Sequence, residues 1–448
     1  MYHVLLLVFA VVLLLFLISK VKLHTFLSLL VISLFLGVAG GVPLNQVAVD
    51  VAAGFGGIMT NIGIVIVCGV VIGEILEHTG AAKRIAHAVL KLIGPKRATA
   101  ATAVTGGIVS IPVFCDTGFV ILNPAIRALS RAGKVPYMCL VSALMMGLLA
   151  THTLTPPTPG PIAAAGILNA DIGIVMLYGL IITVPVIGLT TIWCNSKYLR
   201  NKYPDLAPMD NPSLTGEETT KEEEKKEKDS GPSIFMSTLP IVIPIVLILA
   251  RSVANQTIEY ETTLRNVIDF FGTPYVALLI GVGLSFLLPR KLTSQVTETW
   301  VNNAINKSAV IVLTTGMAGG FGRILQTIGV GDIIAGFIAD TNLPSILLPF
   351  ILSMLILWAQ GSATVALTTT AAIILPLLPA LGISPELAVI SIAGGAMTGV
   401  FPQGSYFWAV TKMAGFDIKK GYVAVTLTTF IMGAVALVSI TVLSLFVS

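Results

Sequence analysis

Residues 73–80 read GEILEHTG and residues 322–329 read GRILQTIG, so a short motif recurs at an offset of 249 residues. After each copy the same features follow in the same order: a short amphipathic stretch, a long apolar stretch with a polar centre, and an apolar span interrupted by proline. Repeats with interrupted helices are typical of secondary transporters, which place their binding site between the repeats. We therefore predict two halves, residues 1–196 and 233–448, that share one site.

The composition is that of a membrane protein. Soluble proteins carry about 25% charged residues, whereas this chain has 11% charged and 55% hydrophobic residues and a mean hydropathy of +0.94. Several runs approach the ~20 apolar residues that cross a hydrocarbon core, which predicts an all-α polytopic protein. The first run, residues 4–19, has no basic segment before it and no small-residue cleavage site, so we expect a retained span and not a signal peptide.

Charge and cysteine content exclude several classes of protein. The net charge of +4 is small and lies mostly in predicted loops, so it indicates membrane orientation and not a nucleic-acid partner. The chain has no HExxH or GxSxG motif, which argues against an intramembrane enzyme. Its cysteines lack metal-ligand spacing, so we expect reduced, packed thiols and no bound metal. These cysteines are Cys68, Cys115, Cys139 and Cys194.

Ten apolar segments are predicted membrane spans, and two of them are broken by proline-containing polar stretches. Two further apolar stretches, residues 99–130 and 343–381, are too long for one span and have a polar centre. They indicate helical hairpins that enter and leave the membrane on the same side. The ten spans are 4–19, 24–41, 58–76, 136–170 (broken), 172–194, 235–251, 274–289, 308–322, 385–414 (broken) and 421–447.

Basic residues orient these spans, because cytoplasmic loops are enriched in lysine and arginine. Lys20 and Lys22 place the first loop inside, and residues 42–57, which contain no lysine or arginine, are expected to form an outside loop. Five crossings in each half, an odd number, then give the two repeats inverted orientations. Between them, residues 197–232 carry many charges of both signs and are expected to form a flexible cytoplasmic linker.

Four polar interruptions lie within the apolar segments, two in each half. Irregular backbone at membrane depth is tolerated only where it is buried in protein or lines a water-filled cavity. Because one hairpin enters from each side and each broken span is interrupted midway, we expect all four to meet near the bilayer midplane with two helix N-termini. Such a site suits a small anion with hydroxyl groups. The interruptions are residues 114–118, 152–161, 360–364 and 401–405.

Two residues are candidates for proton coupling. Asp116 and Thr117 precede a helix predicted to begin near Gly118, whose N–H groups would face a carboxylate. An aspartate beside an anionic ligand is driven towards protonation, so Asp116 could carry the proton; an N-cap role alone would also account for Asp116 and Thr117. His152 is the second candidate, because histidine titrates near neutral pH. A neutral histidine bonded to a neighbouring carbonyl is its alternative interpretation.

The other candidate substrate ligands offer hydroxyl groups, amides or close backbone approach. They are Thr117, Gly118, Thr155, Thr158, Gly361, Ser362, Thr364, Gln403 and Ser405. Arg323 departs from this pattern, because it occupies the repeat position of Glu74 near the end of a span. We expect its side chain to snorkel outward, and steering of anions is the alternative.

At these residues the chain resembles the gluconate permease family of the ion transporter superfamily, over nearly its full length. The similarity is strongest at residues 114–122, Pro124, residues 152–161 and residues 361–366. The resemblance implies two inverted repeats, each of about five transmembrane helices and one re-entrant hairpin, and a transport domain that moves as an elevator. It also implies a homodimer in the lipid bilayer of a bacterial cytoplasmic membrane.

The resemblance further implies proton-coupled uptake of gluconate or a related hydroxy acid, driven by the proton motive force without a bound cofactor. This chain departs from the gluconate-carrying members at three places. Those members typically have glutamate at the position of Asp116 and often have histidine at the position of Thr158. They also have an Asn-Asp pair near residues 402–406, which this chain lacks. The identity of the carboxylate therefore stays open, and D-serine is another substrate class of the family. Na⁺-coupled carboxylate transport is the alternative mechanism, and a passive channel is a further class.

Overall fold

The protein is described here by a computed structural model that covers residues 2–94, 97–208, 231–258, 262–329 and 344–447. All regular structure within these ranges is helical. Seven helical segments of the described chain are long and apolar enough to cross a membrane, or eight if one bent pair counts as a span. The all-α polytopic fold is thus confirmed. Residues 209–230, most of the predicted linker, lie outside the described residues.

The first half contains eleven helices in its described part. They are α1 (Tyr2–Ser19), α2 (Thr25–Ala39), α3 (Leu44–Ile58), α4 (Ile64–His78), α5 (Ala81–Ile93), α6 (Ala98–Val109), α7 (Cys115–Gly133), α8 (Tyr137–Leu154), α9 (Pro159–Leu168), α10 (Ile172–Cys194) and α11 (Lys197–Lys202). A π-helical turn, Met59–Gly63, joins α3 to α4. The predicted hairpin at 99–130 is α6 with α7, and the predicted broken span at 136–170 is α8 with α9.

The second half repeats the order of long span, hairpin, broken span and final span. Its described helices are α12 (Ile234–Thr257), α13 (Thr263–Gly272), α14 (Pro274–Ser285), α15 (Val301–Thr327), α16 (Leu347–Gln360), α17 (Ala363–Ile374), α18 (Leu378–Leu381), α19 (Pro385–Gly395), α20 (Ser405–Ala414), α21 (Ile418–Gly421) and α22 (Thr428–Ser444). The hairpin is α16 with α17, and the broken span is α19 with α20. Helices α13 and α14 meet at a bend of 62°.

The predicted outside loop at 42–57 is wrong, because these residues form α3 and continue through the π-helical turn into α4. The absence of lysine and arginine from residues 42–57 predicts which side of the membrane they are on, but it does not predict whether they form a loop or a helix. Glycines allow α3 to lie directly against α15. A methyl group placed on Gly54 would be 2.8 Å from the Cα of Gly320, and one placed on Gly316 would be 2.7 Å from the ring of Phe55. Small residues at such crossings permit close helix packing in membranes.

Two ion pairs join the long spans of the two halves and show that these spans run antiparallel. Lys307 Nζ lies 2.5 Å from Glu74 Oε2, whose side chain is buried. At the other end of the same pair of spans, Arg323 Nε lies 3.9 Å from Asp50 Oδ1. Arg323 and Glu74 hold equivalent repeat positions, and each has its counter-charge in the opposite half. The Arg323 side chain is 54% exposed, as expected for a snorkelling residue.

The span made of α8 and α9 lies at the centre of the fold. An apolar stretch of 18 residues within this span is completely buried, and α6 packs along the span through glycines. A methyl group on Gly106 would be 2.8 Å from the carbonyl oxygen of Leu144, so α6 and α8 are in backbone contact. This packing holds the tip of the first hairpin beside the break in α8–α9.

Candidate functional site

The tip of the first hairpin places an acidic side chain in the first turn of α7. Helix α7 begins at Cys115, with Phe114 at the N-cap position and no side-chain cap. The predicted helix start near Gly118 is therefore wrong, because extended backbone at Phe114 starts the helix earlier. The alternative interpretation of Asp116 and Thr117 as N-cap residues fails for the same reason. Asp116 Oδ1 is buried and has no hydrogen-bond partner among the described residues. Thr117 is half-buried, and Gly118 packs on the side chain of Leu148.

The first broken span interrupts its helix beside this tip. Helix α8 ends at Leu154, and α9 starts after Thr158, whose hydroxyl donates to the Thr155 carbonyl at 2.7 Å. His152 is buried, and its ring centroid lies 5.9 Å from that of Phe114. Within the described chain, His152 Nδ1 and Thr155 Oγ1 have no hydrogen-bond partner. Polar atoms without partners are thus concentrated where the first tip meets the first break.

The tip of the second hairpin has a side-chain cap of its own and packs against the second broken span. Gly361 has a φ of +78°, which favours glycine, and a methyl group there would be 2.5 Å from the Cα of Gly404. Ser362 caps α17 by accepting from Val365 N at 3.4 Å. Thr364 lies in the first turn of α17 and is half-buried.

Tyr406 of the second broken span and Trp358 of α16 are two aromatic residues that the sequence analysis did not single out. The Tyr406 hydroxyl is buried and donates to the Met145 carbonyl at 2.9 Å, and Asp116 lies within electrostatic range of it. The Trp358 indole donates to the Thr398 carbonyl at 2.8 Å. Gln403 donates to the Trp358 carbonyl. The sequence offered one indication of Tyr406, because this aromatic residue directly follows Ser405, a predicted site residue.

The four interruptions form a continuous series of contacts, which we call the central cluster (residues 114–118, 152–161, 360–364 and 401–405). The first tip contacts the first break through Phe114 and His152. The first break contacts the second hairpin, because a methyl group on Gly160 would be 3.6 Å from the Cα of Thr364. The second tip contacts the second break through Gly361.

Each hairpin packs against the broken span of the other half. The first hairpin is joined to α20 by Asn123 Nδ2 and Arg127 Nη2, which donate to the Met413 carbonyl at 2.8 Å and 2.9 Å. The second hairpin packs on α9 through Leu367 and Gly160. The predicted convergence of four interruptions is thus present as contacts between elements, while Gln403 and Ser405 have exposed side chains at the edge of the cluster.

A separate cavity of about 240 Å³ lies at the far end of α7 from Asp116. Its lining includes Tyr137, Tyr203, Asp205 and Lys420, and the last two form an ion pair at 3.2 Å. None of the predicted site residues lines this cavity, so it is distinct from the central cluster.

Comparisons with known proteins agree with this architecture. The sequence pattern of the GntP family permeases matches residues 2–446. The chain belongs to the GntP permease family. An uncharacterized permease of Haemophilus influenzae is 36% identical to it, with 97% of this chain and 90% of the relative covered. The high-affinity gluconate transporter of Escherichia coli is 30% identical, with 92% of each chain covered.

A solved structure has the same fold as this GntP permease. It is Neisseria gonorrhoeae MtrF, of a class of antimetabolite efflux pumps, and the TM-score is 0.67 at 15% identity, with 95% of each chain covered. Family membership and the apolar helices make the GntP permease a multi-pass transport protein of the membrane and not an enzyme.

The chemistry available in the central cluster is that of helix ends, hydroxyl groups and one carboxylate. Four helices begin in or beside it, α7, α9, α17 and α20, where the sequence analysis expected two. No side chain caps α7 or α20, so their first N–H groups are open to an acceptor. Asp116 is the only carboxylate in the four interruptions, which contain no lysine or arginine. Helix N-termini favour anions.

Proposed function

We propose that this permease is a proton-coupled symporter that imports a small hydroxylated carboxylate, such as gluconate or a related sugar acid. The observation that carries the proposal is the meeting of two uncapped helix N-termini with the carboxylate of Asp116, whose buried Oδ1 has no partner among the described residues, in a cluster without lysine or arginine. Backbone N–H groups would hold the substrate carboxylate. Asp116 would carry the proton, because a carboxylate cannot stay ionised beside a bound anion without cost.

The substrate hydroxyl groups would then bond to polar groups around the cluster. Their partners in this proposal are Thr117, Gly118, Thr155, Thr158, Gly361, Ser362, Thr364, Gln403 and Ser405. His152 would assist Asp116 in proton transfer. Family membership and the 30% identity to a gluconate transporter support the substrate class. In the alternative proposal of a D-serine-type amino acid carrier, the same residues would bind the amino acid.

We further propose that residues 1–196 and 233–448 are inverted repeats joined by a cytoplasmic linker at 197–232. The antiparallel course of the two long spans supports this, since equivalent elements of inverted halves run in opposite directions. In this proposal the protein is a homodimer, and the hairpins and broken spans move together as an elevator.

Uptake into proteoliposomes tests the function. Gluconate, other sugar acids, short hydroxy acids and D-serine are first ranked by thermal shift, and the best ligand is radiolabelled. We expect accumulation when the interior is alkaline, and equal accumulation with and without Na⁺. A requirement for Na⁺ with no response to the pH gradient would replace proton coupling with sodium coupling, and uptake that never exceeds equilibration would indicate a channel.

A further inference from the structure

The interface between α8 and α10 contains buried hydroxyl groups that the proposed substrate site does not use. Thr151, Thr183 and Thr190 are 2%, 6% and 0% exposed, and their hydroxyl groups have no hydrogen-bond partner within the described residues. Thr155 Oγ1, at the break, shares this property. A buried hydroxyl without a partner is costly, so four along one interface call for an explanation. We call these four residues the hydroxyl seam.

Contacts fix how the two helices face each other. A methyl group on Gly179 of α10 would lie 3.3 Å from Thr155 Oγ1, and Cys139 of α8 lies within electrostatic range of Cys194 of α10. The helices are therefore antiparallel and aligned from the break to their other ends. Thr151 is one turn before Thr155, and Thr183 is one turn after Gly179, so the two threonines lie at one level of the helix pair.

The seam continues from this pair to the far end of α10. Thr190 lies two turns beyond Thr183 on the same side of the helix, about 10 Å away. Beyond it, Thr99 donates to Asn195 Oδ1 at 3.3 Å, and Arg200 donates to the same oxygen at 2.5 Å. Arg200 is partly exposed, so this end of the seam reaches the surface that the basic residues assign to the cytoplasm.

The seam is a track lined by buried hydroxyl groups that have no partner among the described residues. Such a track is the type of site that holds buried water, because each water needs two to four polar neighbours. A metal ion would need oxygens gathered around one point, whereas these are spread along two helices.

We propose that the hydroxyl seam binds a row of water molecules and is the route by which protons leave the central cluster for the cytoplasm. This inference rests on the proposed proton coupling. A proton entering at the His152 end joins the first water, each water or hydroxyl passes one proton to the next, and one is released near Asn195, so no bond other than O–H or N–H is made or broken.

Apart from Tyr406, whose hydroxyl donates to the Met145 carbonyl of α8, the ionisable groups described near α8 and α10 lie at the two ends of the seam. At the break these are Asp116 and His152, and at the far end they are Cys139, Cys194 and Arg200. Tyr178 and Glu386 lie at the opposite end of α10, beyond the break. The middle of the seam is formed by threonines, so its conduction depends on hydroxyl groups and bound water.

Thr183→Val tests the inference, because it removes the hydroxyl and keeps the shape. We expect proton-driven accumulation to be slowed about ten-fold, while substrate exchange at equal pH on both sides stays within about two-fold of wild type. Thr183→Ser should restore the rate. The matched control is Thr191→Val, whose hydroxyl group donates to its own helix at 2.6 Å and which should be silent.

Hydrogen–deuterium exchange of the same variants gives a readout that does not depend on transport. If the seam holds water, peptides covering residues 144–155 and 179–190 should show measurable amide exchange in the wild type. The same peptides should exchange more slowly in Thr183→Val. If wild type responds to the pH gradient but Thr183→Val accumulates normally, or if these peptides are protected equally in both, the inference is wrong. If wild type does not respond to the pH gradient, the proposed function fails and the proton route fails with it.

Discussion

The two hairpin tips differ in chemistry although they occupy the same place in their halves. The first tip starts α7 without a side-chain cap and presents the unpartnered carboxylate of Asp116. The second tip has no ionisable group, is capped by Ser362, and packs backbone to backbone on Gly404. The difference suggests a division of roles, in which the first tip handles the proton and the second tip closes the site around the substrate.

The largest effect is expected at the closed tip, from Gly361→Ala. The new methyl group would both strain a φ of +78° and overlap Gly404, so we expect uptake and exchange to fall about 100-fold or more. Gly382→Ala is the control, since Gly382 has a φ of +60° with nothing within 4 Å. Transport assays on both variants at equal expression check this. Near-normal exchange in Gly361→Ala would remove the closing role of the second tip.

The next largest effect is expected from Asp116→Asn at the first tip. Proton-driven accumulation should drop to a ratio of about one, because the amide cannot carry the proton, while exchange is retained. Uptake with and without a pH gradient, alongside counterflow, measures both. Full accumulation by this variant would show that a group other than Asp116 carries the proton, and the proposed difference in role between the two tips would be wrong.

A smaller effect is expected from Thr364→Val at the second tip. Loss of one substrate hydrogen bond should weaken binding about ten-fold, with proton coupling unchanged. Thr368→Val is a matched control one turn further along α17, since its hydroxyl donates to the Val365 carbonyl at 3.2 Å. Affinity is measured by titration of the best ligand. Equal affinities of the two variants would show that Thr364 is structural.

The smallest effect is expected from His152→Gln, which keeps a polar side chain beside Phe114 at the first tip. If His152 assists proton transfer, the pH dependence of uptake should move by up to about one unit with little change in maximal rate. His87→Gln is the control, because the exposed His87 side chain bonds to the Lys83 carbonyl of its own helix, α5. Superimposable pH profiles would support the purely structural interpretation of His152.

Much of the fold could be predicted because the decisive signals are local. Proline and glycine clusters identified the breaks near Thr155 and Gly404, and polar centres within long apolar stretches identified both hairpins. The extent of α3 was missed because its burial depends on packing against α15 through glycines such as Gly54 and Gly320. That contact connects residues far apart in the chain and leaves no local pattern.

The site was predicted less completely than the fold. Residue types at the four interruptions indicated an anion site, but the first residue of α7 depends on backbone conformation at Phe114. The role of Tyr406 depends on reaching Met145 in the other half, and that of Trp358 on the Thr398 carbonyl. Such tertiary partners cannot be inferred from spacing in one sequence.

Because each hairpin packs on the other half's broken span, the proposed binding site needs elements of both halves. A gene cut within the codons for residues 209–230 would yield two polypeptides that are inactive when made separately. Made in the same cell, they should recover transport, since the pairs Glu74 with Lys307 and Asp50 with Arg323 would guide reassembly. The main benefit of a single chain would then be that both halves are made in equal amounts, and the unit that transports substrate would be the complex of the two.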